Sequence, residues 1–190
     1  MNLFRRWRVG REVKAQILAS YDQDQPPWQA AWNLNQYHEW EPIPAMESYP
    51  AKIGVGVYEA DPDAPMNFLY GIEPRYSVCA DHVEMPARTA YRSAPEYYLS
   101  FAHELIHATG AAHRLDRLRH VSRGKGVARE EIVATAGACL LLAYHDLIRC
   151  VPGNALSFIR YHTVANQLTF AELKEATTEA HRAAAYLLRG

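Results

Sequence analysis

The sequence predicts an α+β domain in which a small mixed or antiparallel sheet packs on one motif-bearing helix and is followed by a helical C-terminal half. Three features support this: short alternating apolar runs between residues 51 and 85, a switch to helical periodicity beyond Pro86, and a capped helix holding His103-Glu104-Leu105-Ile106-His107. The chain has 190 residues, which against roughly 150 residues for a typical domain suits one domain with a modest extension. Its 20 Lys and Arg against 21 Asp and Glu leave a formal charge of −1, so there is no global basic excess that would itself imply nucleic-acid binding. With 49% hydrophobic and 22% charged residues the chain can bury a core, which excludes disordered, collagen-like and low-complexity classes.

Taken in order, residues 1–40 read as an N-terminal extension. Residues 1–21 intersperse Arg5, Arg6, Arg8, Arg11 and Lys14 with apolar positions, as in a basic amphipathic helix packed on the domain with its charged face in solvent. A Pro- and Trp-rich wrap with Trp28, Trp32 and Trp40 follows, up to about Pro50. The remaining residues, 41–190, form the main domain. Residues 51–58 read as a strand, and 75–85 as a hairpin or paired edge strand around Ala80-Asp81-His82.

Ser93-Ala94-Pro95-Glu96 has the form of a capping box with Pro in the first turn. Tyr98, Phe101, Ala102, Leu105 and Ile106 continue it as one apolar stripe, and Gly110 supplies the stop. A second helix is expected over about Ala128–Arg149, buried through Ile132, Val133, Ala136, Cys139, Leu140 and Ala143. A third from about Ala155 and a fourth over Phe170–Leu188 complete the chain. The longest uncharged apolar stretch, Ala134 to Tyr144, falls far short of the roughly 20 residues of a bilayer span. A cytoplasmic protein with no membrane partner is expected. Cys79, Cys139 and Cys150 are odd in number and lack Cys-x-x-Cys spacing, which argues against a disulfide framework or a zinc ribbon.

The His-Glu-x-x-His run lies on a helix. At about 100° per residue, His103 and His107 differ by only about 40° in azimuth, so both imidazoles can bind one tetrahedral Zn²⁺. Glu104 lies about 100° round from His103, off the ligand position yet within reach of a water on the metal. Zinc-activated water with Glu104 as general base is the chemistry of peptide-bond hydrolysis.

Two histidines leave the metal short of a third protein ligand. His113 satisfies the metzincin spacing, but every methionine, Met1, Met46, Met66 and Met85, lies upstream of it, so no Met-turn can follow. The other candidates are in Arg129-Glu130-Glu131-Ile132-Val133 on the next helix. Glu131 shares a face with the small residues Thr135 and Ala138, which would let the two helices approach. Glu131 is therefore expected as third ligand, with Glu130 and His113 as the alternatives.

The run Tyr97-Tyr98-Leu99-Ser100-Phe101-Ala102-His103-Glu104-Leu105-Ile106-His107-Ala108-Thr109-Gly110, then Arg114-Leu115-Asp116-Arg117, then Arg129 to Ala134, resembles the zincin-like metallopeptidase domain of ArdC-type plasmid antirestriction proteins. Tyr76-Ser77 with Asp81-His82-Val83-Glu84-Met85-Pro86 looks like the strand pair before the motif helix in that family, and the resemblance covers about residues 40–190. It implies a zinc-dependent, peptidase-like fold found on mobile genetic elements and associated with evading host restriction. Members usually add an N-terminal single-stranded-DNA-binding domain, and residues 1–40 are too short for one and do not read like it. Thr135 stands where the family tends to have an acidic residue.

Between the two ligand-bearing helices, Arg114, Arg117, Arg119, Arg123, Lys125 and Arg129 face only Asp116 in sequence, so a weak, phosphate-directed nucleic-acid contact through Arg114–Arg129 is expected at most. Tyr144, His145, Tyr161 and His162 are candidate oxyanion donors, and nothing in the sequence selects one. The leading reading is a zinc metallopeptidase acting on protein or peptide. Its rivals are a non-proteolytic DNA-binding antirestriction module with structural zinc, a metzincin-like peptidase using His113, and a metal-stabilised interaction domain.

Overall fold

Pro50 and Gly54 decide the structure of the segment around residues 49–54. Proline belongs in the first turn of a helix and glycine just past its end, and residues 49–53 obey these signals rather than the strand expected over 51–58. The computed structural model, which describes residues 3–22, 40–60, 73–121 and 123–189, has helix α1 at Leu3–Ala19, short helices α2 at Pro44–Glu47 and α3 at Tyr49–Ile53, and strand β1 at Gly56–Glu59. Gly54 ends α3 in the left-handed region at φ 67°, and only then does β1 begin. Strands β2 at Arg75–Ser77 and β3 at His82–Met85 follow, as the alternation around Ala80–His82 predicts.

The sheet is mixed, in the order β1-β3-β2. β1 runs parallel to β3 with Gly56 opposite His82 and Glu59 opposite Met85; β2 pairs antiparallel to β3 with Tyr76 opposite Val83. Val83 and Met85 bury one face of β3.

Helix α4, Ala94–Thr109, starts at the predicted cap, where the Glu96 amide donates to the Ser93 hydroxyl at 3.4 Å. Gly110 ends it, although its φ is −80°. The glycine is needed for space instead: a Cβ there would lie 2.9 Å from Leu118 Cγ and 3.0 Å from the His107 carbonyl, where the chain folds back.

Helix α5, Lys125–Tyr144, begins and ends earlier than expected. It stops because Asp146 takes a left-handed conformation, φ 60°. The predicted stripe proves too narrow, since every residue from Ile132 to Ala143 is buried, as in a central helix covered on all sides. Helix α4, helix α6 at Gly153–Ala165, helix α7 at Phe170–Arg189 and α1 all pack on it. The α+β class and the helical C-terminal half stand as predicted.

Helix α1 buries Val13 and Ile17, and its Gln16 side chain accepts from the Val151 amide at 2.8 Å. Trp40 packs on Tyr97 and Tyr98, with ring centroids 5.1 and 5.7 Å away. Trp28, Trp32 and the part of the expected wrap at residues 23–39 lie outside the described residues, while its last part is not irregular but forms α2 and the start of α3.

Helices α4 and α5 approach closely at Gly137, where a Cβ would sit 2.8 Å from Ile106 Cδ1 and 2.9 Å from its Cγ1. Alanine gains about 1 kcal/mol in helix propensity over glycine, whereas overpacking a filled core costs about 1–3 kcal/mol. Gly137→Ala is expected to lower the unfolding free energy by about 1 kcal/mol in urea titration, and Ile106→Val in the same background to recover part of it. A stabilised single variant would show that the contact yields freely.

The thiols give an independent check of the core. Cys139 is buried on α5, and burial pushes its thiol up to about 12, whereas Cys79 and Cys150 are exposed. A colorimetric thiol reagent should modify Cys79 and Cys150 in the native protein and reach Cys139 only on unfolding.

Candidate metal centre

Along α4 the apolar side chains of Phe101, Ala102, Leu105 and Ile106 are buried, which turns His103 and His107 toward the N-terminal part of α5. Their Nε2 atoms lie 3.1 Å apart. Glu131, on the first turns of α5, completes the group: its carboxylate oxygens lie 3.3 Å from His103 Nε2 and 3.5 Å from His107 Nε2. The three residues each offer a donor atom within 4.8 Å of the others, so they can hold a metal ion. Two imidazole nitrogens and one carboxylate suit zinc, and a borderline divalent ion such as manganese is also compatible with imidazole and carboxylate donors. Three lone-pair donors facing one another at this distance are a natural cation seat.

Outer partners hold the rings in place. The Nδ1 of His107 lies 3.1 Å from Glu130 Oε1, and the Nδ1 of His103 lies 3.2 Å from the Thr135 hydroxyl. With Nδ1–H assigned as donor to each partner, both Nε2 lone pairs are left for a metal. Glu130 is gripped in turn by Arg117, whose guanidinium reaches it at 3.0 and 3.2 Å and also donates to the Ile106 carbonyl and the Thr109 hydroxyl at 2.8 and 3.0 Å. The chain Arg117–Glu130–His107 thus ties the loop after α4 to the start of α5.

The electrostatics follow from this placement. Burial works against charge on His107, but the bond to Glu130 and the charges of Glu130, Glu131 and Glu104 outweigh it and raise the imidazole above its ordinary value. For Glu130, burial is outweighed by the bonds to His107 and Arg117, and its carboxyl is held below the ordinary range. Glu131 is also held low: burial opposes ionisation, and the bond to His103 together with the charges of His107, His103 and His162 prevails. The pocket is therefore rich in carboxylate charge, with Arg117 its counter-charge at Glu130.

Glu104 is buried, with 7% of its surface exposed. Among the described residues its carboxylate makes no hydrogen bond or ion pair. His113 lies elsewhere, largely exposed and 3.3 Å from Asp81. Glu130 meets the outer nitrogen of His107, not the inner one. The structure thus brings His103, His107 and Glu131 together and leaves His113 apart.

Of the four candidate oxyanion donors, His162 on α6 is near the cluster: its ring packs 4.5 Å from Phe158, which lies 6.1 Å from the His103 ring. His145 is instead 2.6 Å from the Tyr49 hydroxyl. Sequence reasoning missed Phe158, and it missed Thr135 and Arg117 as supports of the histidines. The Arg114-Leu115-Asp116-Arg117 block was the available signal for Arg117.

The arginine-rich segment is largely neutralised from within. Arg114 pairs with Asp81 at 2.7 Å, Arg117 with Glu130, Arg119 with Asp116 at 3.0 Å, Lys125 with Glu172 at 3.5 Å, and Arg129 with Glu175 and Glu179 at 3.2 and 3.1 Å. Among the described residues Asp116, which in sequence faces the whole segment, is matched to Arg119 alone.

A family model described as zincin-like metallopeptidase matches residues 66–185. Among solved structures, the Mn(II)-bound crystal structure of the antirestriction protein ArdC from plasmid R388 superposes with a TM-score of 0.61 at 27% identity, covering 82% of this chain and 55% of that one. The metal-free ArdC structure gives a TM-score of 0.60 at 26% identity, covering 78% and 51%. Among curated proteins, DNA primase TraC of Escherichia coli is 31% identical over 118 residues, 60% of this chain and 8% of the primase. The uncharacterized protein y4eC of Sinorhizobium fredii (strain NBRC 101917 / NGR234) is 35% identical over 79 residues, 42% of this chain and 22% of that protein. The chain thus spans about half of ArdC and under a quarter of these curated relatives. A model match across most of the chain, together with the shared ArdC fold, means that this chain belongs to the zincin-like metallopeptidase family.

Proposed function

We propose that the protein is a metal-dependent peptidase related to plasmid and phage antirestriction proteins, in which His103, His107 and Glu131 hold Zn²⁺ and Glu104 is the general base. The observation that carries this reading is the state of Glu104, a residue only 7% exposed whose carboxylate has no hydrogen-bond partner among the described residues and whose charge acts on His107, one of a donor set of three. A structural zinc calls for four protein ligands, whereas three ligands with a free acid beside them form an open site.

A divalent ion on this donor set would acidify a water ligand and polarise a substrate carbonyl. The chain's own residues supply the rest. Glu104 accepts the proton from the attacking water at a carboxylate oxygen and returns it to the leaving nitrogen. Thr135 and the Arg117–Glu130 pair keep the two imidazoles oriented. Phe158, 39% exposed and beside His103, offers an apolar wall for a substrate side chain. The substrate class is protein or peptide, and the setting is the cytoplasm. No helix among the described residues is long and apolar enough to cross a membrane.

Exposing a proteome-derived peptide library to the purified chain, loaded with zinc or with manganese, tests the reading by mass spectrometry. New termini that vanish with a chelator are expected. If neither metal yields any, the peptidase reading fails.

A further inference from the structure

The cations of the Arg114–Arg129 segment are largely committed to acids of the protein, which raises the question of where free positive charge gathers. It gathers at the other end of α7. A cavity of about 490 Å³ is lined by Lys52 and Ile53 of α3, by Leu115, and by Arg182, Tyr186 and Arg189 of α7. No acidic residue is among its lining residues, and it shares none with the metal cluster. Lys52 lies 5.3 Å from the Tyr49 ring, and Arg189 donates at 3.3 Å to the Ala185 carbonyl one turn back. Among the described residues, none of these three cations is matched to a carboxylate.

The acids nearby are already engaged. Glu175 and Glu179, on the same helix as Arg182, are both turned to Arg129. Asp81 is held by Arg114, whose Nε donates to the Ile53 carbonyl at 3.1 Å, so the two charges offset each other. Three cations lining one concave surface together with one aromatic ring and two aliphatic side chains fit an anion that carries a flat or apolar body.

We propose that this pocket binds a nucleotide phosphate, with Lys52, Arg182 and Arg189 on the phosphate oxygens and Tyr186 against the base. Arginine supplies forked donors for phosphate oxygens and lysine a point charge. A tyrosine face stacks any base, so the site is sequence-tolerant. A phosphate of this kind reaches the pocket either within a single nucleic-acid strand or as a free nucleotide. The inference is independent of peptidase activity.

Two titrations of the full chain separate these sources: anisotropy of a labelled oligothymidylate across a salt series, and calorimetry with thymidine 5′-phosphate. If the strand is the ligand, log K should fall with log salt at a slope of roughly −2, since each neutralised phosphate contributes about −0.7 on single strands. The triple variant Lys52→Gln, Arg182→Gln, Arg189→Gln should flatten that slope toward zero. Tyr186→Ala should weaken binding on the order of tenfold, while Tyr186→Phe keeps it. If the free nucleotide is the ligand, it should bind without the strand's salt slope and be lost in the same triple variant. Arg119→Gln with Arg123→Gln, in the arginine-rich segment, should change neither titration. The proposal is overturned if neither probe binds, if the triple variant binds as the wild type does, or if the Arg119 and Arg123 variant is the one that loses binding.

Discussion

Replacing Glu104 with glutamine is expected to leave the fold and the bound metal in place while lowering peptide hydrolysis by about 10²–10⁴, the usual contribution of a positioned general base. Glutamine keeps the size of the side chain but cannot accept a proton. The position is buried, and an amide there is neutral, so the substitution adds no unpaired charge. Glu104 is also one of the charges that raise His107; removing it takes one negative charge from the pocket without touching a donor atom of the cluster. Metal content should therefore stay at the wild-type level. A variant that keeps its metal and cleaves at the wild-type rate would show that Glu104 is not the base.

The motif helix was legible because its signals are local. Ser93 and Glu96 cap it, Pro95 sits in its first turn, and the two histidines are one turn apart. Glu131 could be reached by asking which nearby helix had an acid on a small-residue face, and the small residue that matters most, Gly137, lies farther along that helix. What could not be read was everything set by distant pairing. Arg114 finds Asp81 across 33 positions and Arg129 finds Glu179 across 50, so a segment that looks like free positive charge is spent on internal pairs. Alternation over residues 51–58 points to one strand, but Pro50 in the first turn and Gly54 at the end make residues 49–53 helix α3. The extent of burial around α5 was hidden for a similar reason: periodicity marks one face, and only packing shows that the others are covered as well.

The second large effect concerns the metal itself. The wild-type chain dialysed against zinc is expected to retain one equivalent, and the double variant His103→Ala, His107→Ala none, as read by elemental analysis. Glu131→Ala should also lose it, because two imidazoles alone leave the site without its only anionic donor. Glu130→Ala and Thr135→Ala should keep one equivalent at saturation but bind about 10–100-fold more weakly, the usual cost of removing an outer partner of a ligand histidine. Of these two, Glu130→Ala should also lower stability without metal, since it leaves Arg117, 11% exposed, without its carboxylate. Saturating the wild type at about 100 times Kd should add about 2.7 kcal/mol to unfolding, an increment the double variant lacks. His113→Ala should change none of this, because its ring is paired with Asp81 outside the cluster. Zinc retained by Glu131→Ala and lost from His113→Ala would mean that the third ligand is the histidine and that α4 and α5 rearrange around the metal.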